Sequence, residues 1–309
     1  GIATSGVMAL ENAGFEVILK TVAQEQLADF INENKVDVLL VRSATKVREA
    51  LIDACPSLKI IGRGGVGMDN IDVDYARNKG IKVINTPAAS SHSVAELVFA
   101  HLFGMVRFLH DSNQNMPLEG DSKFKELKKA YAKGVELKGK TLGILGFGRI
   151  GQATAKIGLA IGMKVVAYDP FIDSVHIGLE FFDGQQVNFT IDTISKEAVL
   201  EQADFISLHV PAQEDYVIGA KEFNIMKKGA GIVNAARGGV IDEVALVKAI
   251  EEGKISNAAL DVFENEPTPE ITLLMNKNIS LTPHIGAATL EAQDRIGEEL
   301  AHQIIEILA

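Results

Sequence analysis

Short apolar runs alternate with amphipathic segments over the first 88 residues of the chain. The apolar runs predict buried strands at residues 15–19, 36–41, 58–61 and 81–84. Segments with helical periodicity lie between these runs, at residues 24–32, 47–54 and 73–79. This alternation predicts a parallel sheet whose strands are connected by right-handed crossovers.

A second alternation follows a long apolar helix that is predicted over residues 90–109. Its predicted strands are residues 141–145, 163–168, 205–209, 231–234, 258–262 and 279–281. Its predicted helices are residues 150–161 and 242–252, residues 199–203 precede the strand at 205–209, and the polar residues 111–119 predict a loop. The amphipathic residues 287–308 predict a last helix, which is expected to return to the first sheet.

A glycine-rich turn lies between the predicted strand 141–145 and the helix that follows it. Its glycines have the spacing G-x-G-x-x-G, and an acidic residue ends the next strand. In such a unit the backbone approaches a pyrophosphate at the helix N-terminus, and the acid accepts hydrogen bonds from a ribose. Because a carboxylate repels a 2′-phosphate, we predict NAD rather than NADP as cofactor. The expected binding residues are Gly146, Gly148, Arg149, Ile150, Gly151 and Asp169.

These patterns together predict an α/β protein with two doubly wound parallel-sheet domains. We predict a Rossmann dinucleotide-binding domain at residues 89–284. It is expected to be inserted in a flavodoxin-like substrate domain made of residues 1–88 and 285–309. An α/β domain usually opens with a strand, whereas this chain opens with helix-like sequence, which is consistent with a leading segment before Gly1.

The net charge and the cysteine content bear on which ligands the protein can bind and on where in the cell it functions. The chain has 309 residues, with 30 basic and 41 acidic side chains and a net charge of −11. No strong positive field is available for nucleic acid, although a small anionic substrate needs only a few local cations. Cys55 is the single cysteine, so neither a disulfide framework nor a thiolate metal cluster is expected. We predict a cytoplasmic protein with no metal and no membrane segment.

Charged side chains follow the predicted strands, at the edge where parallel sheets bind ligands. In the second domain these are Arg237, Glu266 and His284. Imidazole groups titrate near neutral pH, so His284 suits a general base. Glu266 would favour its imidazolium form, and the planar fork of Arg237 suits a carboxylate. Spacing alone leaves the alternatives open: a solvated arginine, a turn glutamate before Pro267 and a structural histidine. The remaining histidines, among them His101, are interpreted as structural.

Three segments resemble the signatures of the D-isomer-specific 2-hydroxyacid dehydrogenases. They are NAARGGVID at residues 234–242, DVFENEP at 261–267 and PHIGAAT at 283–289. The resemblance implies that Arg237 binds substrate, that Glu266 orients and charges His284, and that His284 is the acid/base. It also implies that Asp261 contacts the nicotinamide amide and that the protein is a homodimer built around the dinucleotide domain.

Two more segments, VRSATKV at residues 41–47 and GRGGVGMDN at 62–70, resemble family members whose substrate carries a phosphate beside its carboxylate. The expected reaction is oxidation of D-3-phosphoglycerate to 3-phosphohydroxypyruvate, the first step of serine biosynthesis. The expected substrate-binding residues are Arg42, Ser43, Lys46, Arg63, Gly65, Val66 and Arg237. Free N–H groups of the glycine-rich loop 64–67 are also expected to hold the substrate carboxylate. Alternatives are a glyoxylate/hydroxypyruvate or D-lactate-type enzyme and a non-enzymatic, NAD-sensing corepressor. Longer members continue into a regulatory serine-binding domain, whereas the given sequence stops at the returning helix, so feedback by serine through such a domain is not expected.

Overall fold

In the computed structural model, which describes residues 2–308, the chain forms two compact units. The first unit contains the residues up to Ser93 together with those from Ala287 onward, and the second spans Val94–Gly286. The predicted boundaries lie after residues 88 and 284. Each unit is described separately below.

The helices and strands alternate along the chain. The first ones are α1 Thr4–Asn12, α2 Leu27–Glu33, β1 Val38–Val41, α3 Glu49–Ala54, β2 Ile60–Arg63, α4 Val73–Asn78 and β3 Lys82–Asn85. The next are α5 Ser91–Val106, α6 Leu109–Glu119, α7 Phe124–Ala130, β4 Thr141–Leu145, α8 Arg149–Ala160, β5 Lys164–Tyr168, β6 Ser174–Glu180 and β7 Gln186–Asp192. The last are α9 Lys196–Gln202, β8 Phe205–Leu208, α10 Ala220–Ile225, β9 Ala230–Asn234, α11 Glu243–Glu251, β10 Ile255–Leu260, α12 Ile271–Leu274, β11 Ile279–Leu281 and α13 Leu290–Leu308.

The first unit is a parallel sheet of order β1-β2-β3 with apolar clusters on both faces. Consecutive side chains of a strand point to opposite faces, so Ile61 belongs to one cluster and Ile60 to the other. Both isoleucines are fully buried. Helix α13 buries Ile296, Leu300 and Ile304 in the same cluster as Ile60, since residues four apart share a helix face.

The second unit is built on a parallel sheet of order β11-β10-β9-β8-β4-β5. The strand order reverses at β4, so the loops after β4 and β8 diverge there, as in a Rossmann fold. Since these strands are parallel, the loops after β4, β9, β10 and β11 all emerge at one edge of the sheet. The antiparallel hairpin β6–β7 was not predicted, because most of its residues are exposed and give a weak apolar signal.

Two local predictions are wrong. Residues 15–19 form no strand, because within residues 2–308 no strand pairs with them; Phe15 N donates instead to the Leu10 carbonyl of α1. The apolar pattern of this segment still indicates core contact at two positions. Phe15 and Val17 pack against the core, whereas Ile18 and Leu19 are exposed. The polar stretch 111–119 is not a loop, since it lies in helix α6.

The polarity of helix α6 explains why its sequence does not predict it. Among its described residues none is buried, so the helix has no apolar face that periodicity could detect. Side-chain hydrogen bonds support it instead. Tyr131 donates to Asp111 Oδ2 at 2.8 Å, and Asn115 Nδ2 donates to the Tyr131 hydroxyl at 2.9 Å. Taken singly, no helix within residues 2–308 has the length and hydropathy to cross a membrane; only the bent pair α5 and α6, taken together, passes that test.

Candidate active site

Three glycines lie in the turn after β4. At two of them the protein's own backbone leaves no room for a Cβ atom, whereas the third has open space beside it. Gly146 has a φ of +90°, and a Cβ there would overlap the carbonyl of His209. A Cβ at Gly151 would overlap the carbonyl of Gly146. A Cβ at Gly148, in contrast, would meet no protein atom within 4 Å. The turn therefore leaves open space at its second glycine.

Gly148 is also the N-cap of helix α8, and no side chain caps this N-terminus. The N–H groups of the first turn, at Arg149 and Ile150, have no partner within the helix and suit an anion in the open space. A dinucleotide pyrophosphate fits this combination of open space, exposed backbone donors and helix dipole. The residues present therefore fit the predicted cofactor.

Asp169, at the end of β5, accepts hydrogen bonds from two backbone N–H groups. Its Oδ2 accepts from Phe147 N at 2.7 Å, and its Oδ1 accepts from Phe171 N at 2.9 Å. The carboxylate thus ties the glycine turn to the loop after β5. Each carboxylate oxygen has two lone pairs, so both keep a site for a ribose hydroxyl. The predicted ribose contact stays a prediction.

His284 and Glu266 form a hydrogen-bonded pair at the same edge of the sheet. Glu266 follows β10 and His284 follows β11, and the distance from His284 Nδ1 to Glu266 Oε2 is 2.9 Å. The other carboxylate oxygen of Glu266 accepts from Phe263 N at 3.0 Å, which fixes its orientation. His284 itself has a φ of +55°, so the surrounding loop must hold its backbone in a left-handed conformation. The two side chains are 41% and 37% exposed, which leaves them accessible to a ligand.

Asp261 holds the loop that carries His284. Its carboxylate is buried, with 1% of the residue exposed. Oδ1 accepts from Thr282 Oγ1 at 2.6 Å and from Ile285 N at 2.8 Å, and Oδ2 accepts from Gly286 N at 2.8 Å. Sequence reasoning missed this role, and the nicotinamide contact predicted for Asp261 stays a prediction.

Arg237 lies in the loop after β9, the strand next to β10. Asn234 shapes this loop, since its Nδ2 donates to the Arg237 carbonyl at 2.8 Å and its Oδ1 accepts from Ala236 N at 3.0 Å. A Cβ at Gly238 would overlap the Phe263 carbonyl, so the loops after β9 and β10 are in backbone contact. Arg237, Glu266 and His284 thus follow three neighbouring strands.

In the first unit, Arg42, Ser43 and Lys46 are exposed in the loop after β1. Buried Asn70 shapes this loop by donating from Nδ2 to the Arg42 carbonyl at 3.1 Å and to the Thr45 carbonyl at 2.6 Å. The two cationic side chains therefore lie on a loop whose backbone is held by Asn70, from the segment between β2 and α4.

The loop after β2 differs from the prediction. The N–H groups of Gly64 and Gly65 were expected to be open to a carboxylate, but Gly64 N donates to the Val41 carbonyl and Gly65 N to Thr86 Oγ1. The Arg63 guanidinium donates to the Gly67 carbonyl within its own loop, and Val66 is exposed. Substrate binding by Arg63, Gly65 and Val66 stays a prediction. The prediction that Gly64 and Gly65 offer free N–H groups is wrong, because both groups donate within the protein.

Residues 99–286 match the family described as "D-isomer specific 2-hydroxyacid dehydrogenase, NAD binding domain". The chain belongs to this family. Its cofactor is NAD, as predicted, and at the level of reaction class it is an NAD-dependent 2-hydroxyacid dehydrogenase. The α/β fold with parallel sheets is likewise confirmed.

Relatives of the chain differ in the substrate that their names give. A hydroxypyruvate reductase from Thermotoga maritima is 47% identical over 298 residues, which cover 95% of this chain and 91% of that protein. A D-3-phosphoglycerate dehydrogenase from Methanocaldococcus jannaschii is 43% identical over 304 residues, which cover 98% of this chain but 55% of that protein. The crystal structure of a glyoxylate reductase from Paecilomyes thermophila superposes with a TM-score of 0.81 at 30% identity, covering 99% of this chain and 93% of that one.

Within the described part of the chain, no group of three or more His, Cys, Asp or Glu side chains could hold a metal ion. Burial lowers the pKa of His209 to about 3, so its imidazole is neutral, and its Nε2 lies 2.9 Å from Ser207 Oγ. These contacts agree with the packing role expected for His209.

Glu243, at the start of α11, and Glu264, in the loop after β10, each accept a hydrogen bond from the backbone N–H of the other. Glu264 N donates to Glu243 Oε1 at 2.9 Å, and Glu243 N donates to Glu264 Oε1 at 3.1 Å. Glu243 is only 6% exposed. Burial raises the pKa of the Glu243 carboxyl, and the nearby carboxylates of Glu264, Glu270 and Glu266 also raise it. An ionised Glu243 therefore disfavours the folded state.

We expect Glu243→Gln to stabilise the protein at pH 7 by an amount on the order of 1 kcal/mol, because the amide keeps an oxygen acceptor for Glu264 N but removes the buried charge. A raised pKa means that the folded state binds the proton more tightly, so the wild type loses stability as pH rises through that pKa. Thermal unfolding between pH 4 and pH 8 should show a gain that shrinks toward acid pH. Glu251→Gln, an exposed change on the same helix, is the control. A gain that is equal at both pH extremes would contradict the prediction.

Proposed function

We propose that the chain oxidises D-3-phosphoglycerate to 3-phosphohydroxypyruvate with NAD, in the first step of serine biosynthesis. The hydrogen bond between His284 and Glu266 carries the assignment of the reaction, because it supplies an oriented acid/base at the sheet edge that also bears the glycine turn. The exposed cations Arg42 and Lys46 support a phosphorylated substrate, since a phosphate and a carboxylate both need positive partners.

The proposed mechanism is a proton transfer coupled to a hydride transfer. NAD supplies the hydride acceptor when it is bound. His284 takes the proton from the substrate hydroxyl at Nε2, because Nδ1 is engaged by Glu266. The carboxylate of Glu266 then stabilises the imidazolium that forms. Arg237 holds the substrate carboxylate with its planar guanidinium.

A second candidate substrate is hydroxypyruvate. It is favoured by the 47% identity to a hydroxypyruvate reductase of which the chain covers 91%, whereas it covers 55% of the phosphoglycerate dehydrogenase described above. The same acid/base pair would then give up its proton to the carbonyl oxygen as the hydride is added. The two substrate couples, 3-phosphoglycerate with 3-phosphohydroxypyruvate and glycerate with hydroxypyruvate, differ only in the phosphate.

A substrate panel followed by nicotinamide absorbance separates the candidates. We expect the largest kcat/KM for D-3-phosphoglycerate in the oxidative direction, compared with glycerate and lactate. Hydroxypyruvate and glyoxylate are tested with NADH. A preference for unphosphorylated hydroxypyruvate over 3-phosphohydroxypyruvate would replace the first candidate by the second. Failure to turn over any of these substrates would favour the NAD-sensing corepressor.

Replacing Arg42 tests the phosphate directly. We expect Arg42→Ala to lower kcat/KM for the phosphorylated substrate by about 10- to 150-fold, because a charge-assisted hydrogen bond contributes roughly 1.5–3 kcal/mol. The value for unphosphorylated glycerate should change little. Lys82→Ala, which removes an exposed cation at the start of β3 rather than after a strand end, is the matched control. An equal loss for both substrates would contradict a phosphate role for Arg42.

A homodimer formed through the NAD-binding domain and a cytoplasmic location are also proposed. The exposed apolar side chains Leu109 and Leu118 of α6, at 63% and 77% exposure, support association through the second unit. Sedimentation of the purified protein tests the oligomeric state. The expectation that the chain binds neither nucleic acid nor membrane stays a prediction.

A further inference from the structure

A histidine on the apolar helix α5 makes two side-chain hydrogen bonds to the strand and loop that lead to His284. His101 is 4% exposed. Its Nδ1 lies 2.9 Å from Ser280 Oγ, in β11, and its Nε2 lies 3.0 Å from Thr282 Oγ1, just after β11. Both ring nitrogens are therefore engaged by hydroxyl groups near the catalytic loop.

The positions of the protons in this network follow from what each group can donate. The Asp261 carboxylate can only accept, so the 2.6 Å contact requires Thr282 to donate its single hydroxyl proton to Oδ1. Thr282 Oγ1 must then accept its second hydrogen bond, and His101 Nε2 must carry the hydrogen. Burial lowers the pKa of His101, against a smaller opposite influence of Asp261, which favours the neutral ring. Nδ1 is then the acceptor for the Ser280 hydroxyl.

The network continues from Asp261 to the backbone that holds His284. Asp261 Oδ1 also accepts from Ile285 N, and Oδ2 accepts from Gly286 N, both at 2.8 Å. These two residues directly follow His284, whose φ of +55° the loop must maintain. A donor at position 101 therefore acts on the catalytic histidine through Thr282 and Asp261.

We propose that His101 is a positioning residue, which in its neutral Nε2–H form directs the Thr282 hydroxyl to Asp261 and so fixes the backbone on which His284 lies. The catalytic part of this inference rests on the acid/base role proposed for His284. A histidine is suited to the task because it places a donor and an acceptor on opposite sides of one rigid ring. Phenylalanine would fill the space without either group, whereas glutamine could still donate from its amide nitrogen.

The first test compares His101→Phe with His101→Gln in steady-state reduction of whichever 2-keto acid the wild type accepts. We expect His101→Phe to lower kcat by about 10- to 100-fold, since small displacements of a catalytic group have effects of this size. KM and NADH affinity should be unchanged, and His101→Gln should recover most of kcat. An unchanged kcat for His101→Phe, or equal losses for both variants, would overturn the proposal.

A second pair of variants covers the case in which His101→Phe does not fold. Thr282→Val removes the hydroxyl while keeping the shape of the side chain, and Thr282→Ser keeps the hydroxyl. The proposal expects a loss of kcat for valine and near-normal kcat for serine. Equal activity of these two variants would overturn it.

A third measurement does not depend on turnover. Long-range ¹H–¹⁵N spectra of the histidine rings identify each tautomer, with His101 assigned from the signal missing in His101→Gln. We expect a neutral Nε2–H ring for His101 in the wild type, together with shifted His284 ring signals in Thr282→Val. A charged or Nδ1–H ring would overturn the network. If no 2-keto acid is turned over while these spectra agree, the proposed function fails and the positioning network stands.

Discussion

His284→Gln is expected to lower kcat by about 10²- to 10⁴-fold, the usual contribution of a positioned acid/base. Glutamine can still reach toward Glu266, but its amide cannot take or give up a proton near neutral pH. The effect should therefore fall on kcat, and NADH should bind as it does to the wild type. Turnover is followed by nicotinamide absorbance and NADH binding by fluorescence.

The control for this experiment is His302→Gln, because the His302 side chain is 76% exposed on helix α13 and its charged partner at 3.5 Å is Glu306 of the same helix. It should leave kcat and stability unchanged. Near-normal turnover by His284→Gln would remove His284 from the acid/base role. A loss of NADH binding or of folding in that variant would instead indicate a structural role for the residue.

Alanine at Gly148 and at Gly151 is expected to separate cofactor binding from folding. A Cβ at Gly151 would overlap the Gly146 carbonyl, so Gly151→Ala should destabilise the protein by roughly 1–3 kcal/mol, as overpacking usually does. A Cβ at Gly148 meets open space, and its φ of −70° suits alanine, so Gly148→Ala should unfold near the wild-type temperature.

The same methyl group at Gly148 projects into the space assigned to the pyrophosphate. We expect Gly148→Ala to weaken NADH binding by about 10-fold or more, since one lost charge-assisted hydrogen bond amounts to roughly 1.5–3 kcal/mol. Calorimetric titration gives the affinity, and thermal scanning gives the stability of both variants. Wild-type affinity in Gly148→Ala would show that the cofactor does not approach this turn.

The errors of the sequence-based predictions have a common origin. Residues 15–19 carry the apolar alternation of a strand, but a strand also requires a pairing partner, which a local pattern does not report. Helix α6 lacks an apolar face and depends on contacts with Tyr131, so periodicity could not detect it. The N–H groups of Gly64 and Gly65 were wrongly expected to be free. Their acceptors, the Val41 carbonyl and Thr86 Oγ1, lie on other segments of the chain, so the local sequence does not reveal them.

Sequence alone determined the strand–turn–helix unit at Gly146–Gly148–Gly151, the NAD cofactor and the family. Each depends on local rules: buried strands are continuously apolar, and a tight turn near a phosphate needs glycine at set positions. It also placed Arg237, Glu266 and His284 after strands, which in a parallel sheet is enough to put them at one edge.

Only the tertiary structure decided which groups hold these residues in place. His101 meets Ser280 across 179 positions of sequence, and Asp261 reaches Thr282 and Gly286 across 21 and 25. A hydrogen bond depends on distance and angle in space to within tenths of an ångström, and these are set by the packing of α5 against the strands. A buried polar residue in an apolar helix signals that such a partner exists, but only the fold identifies it.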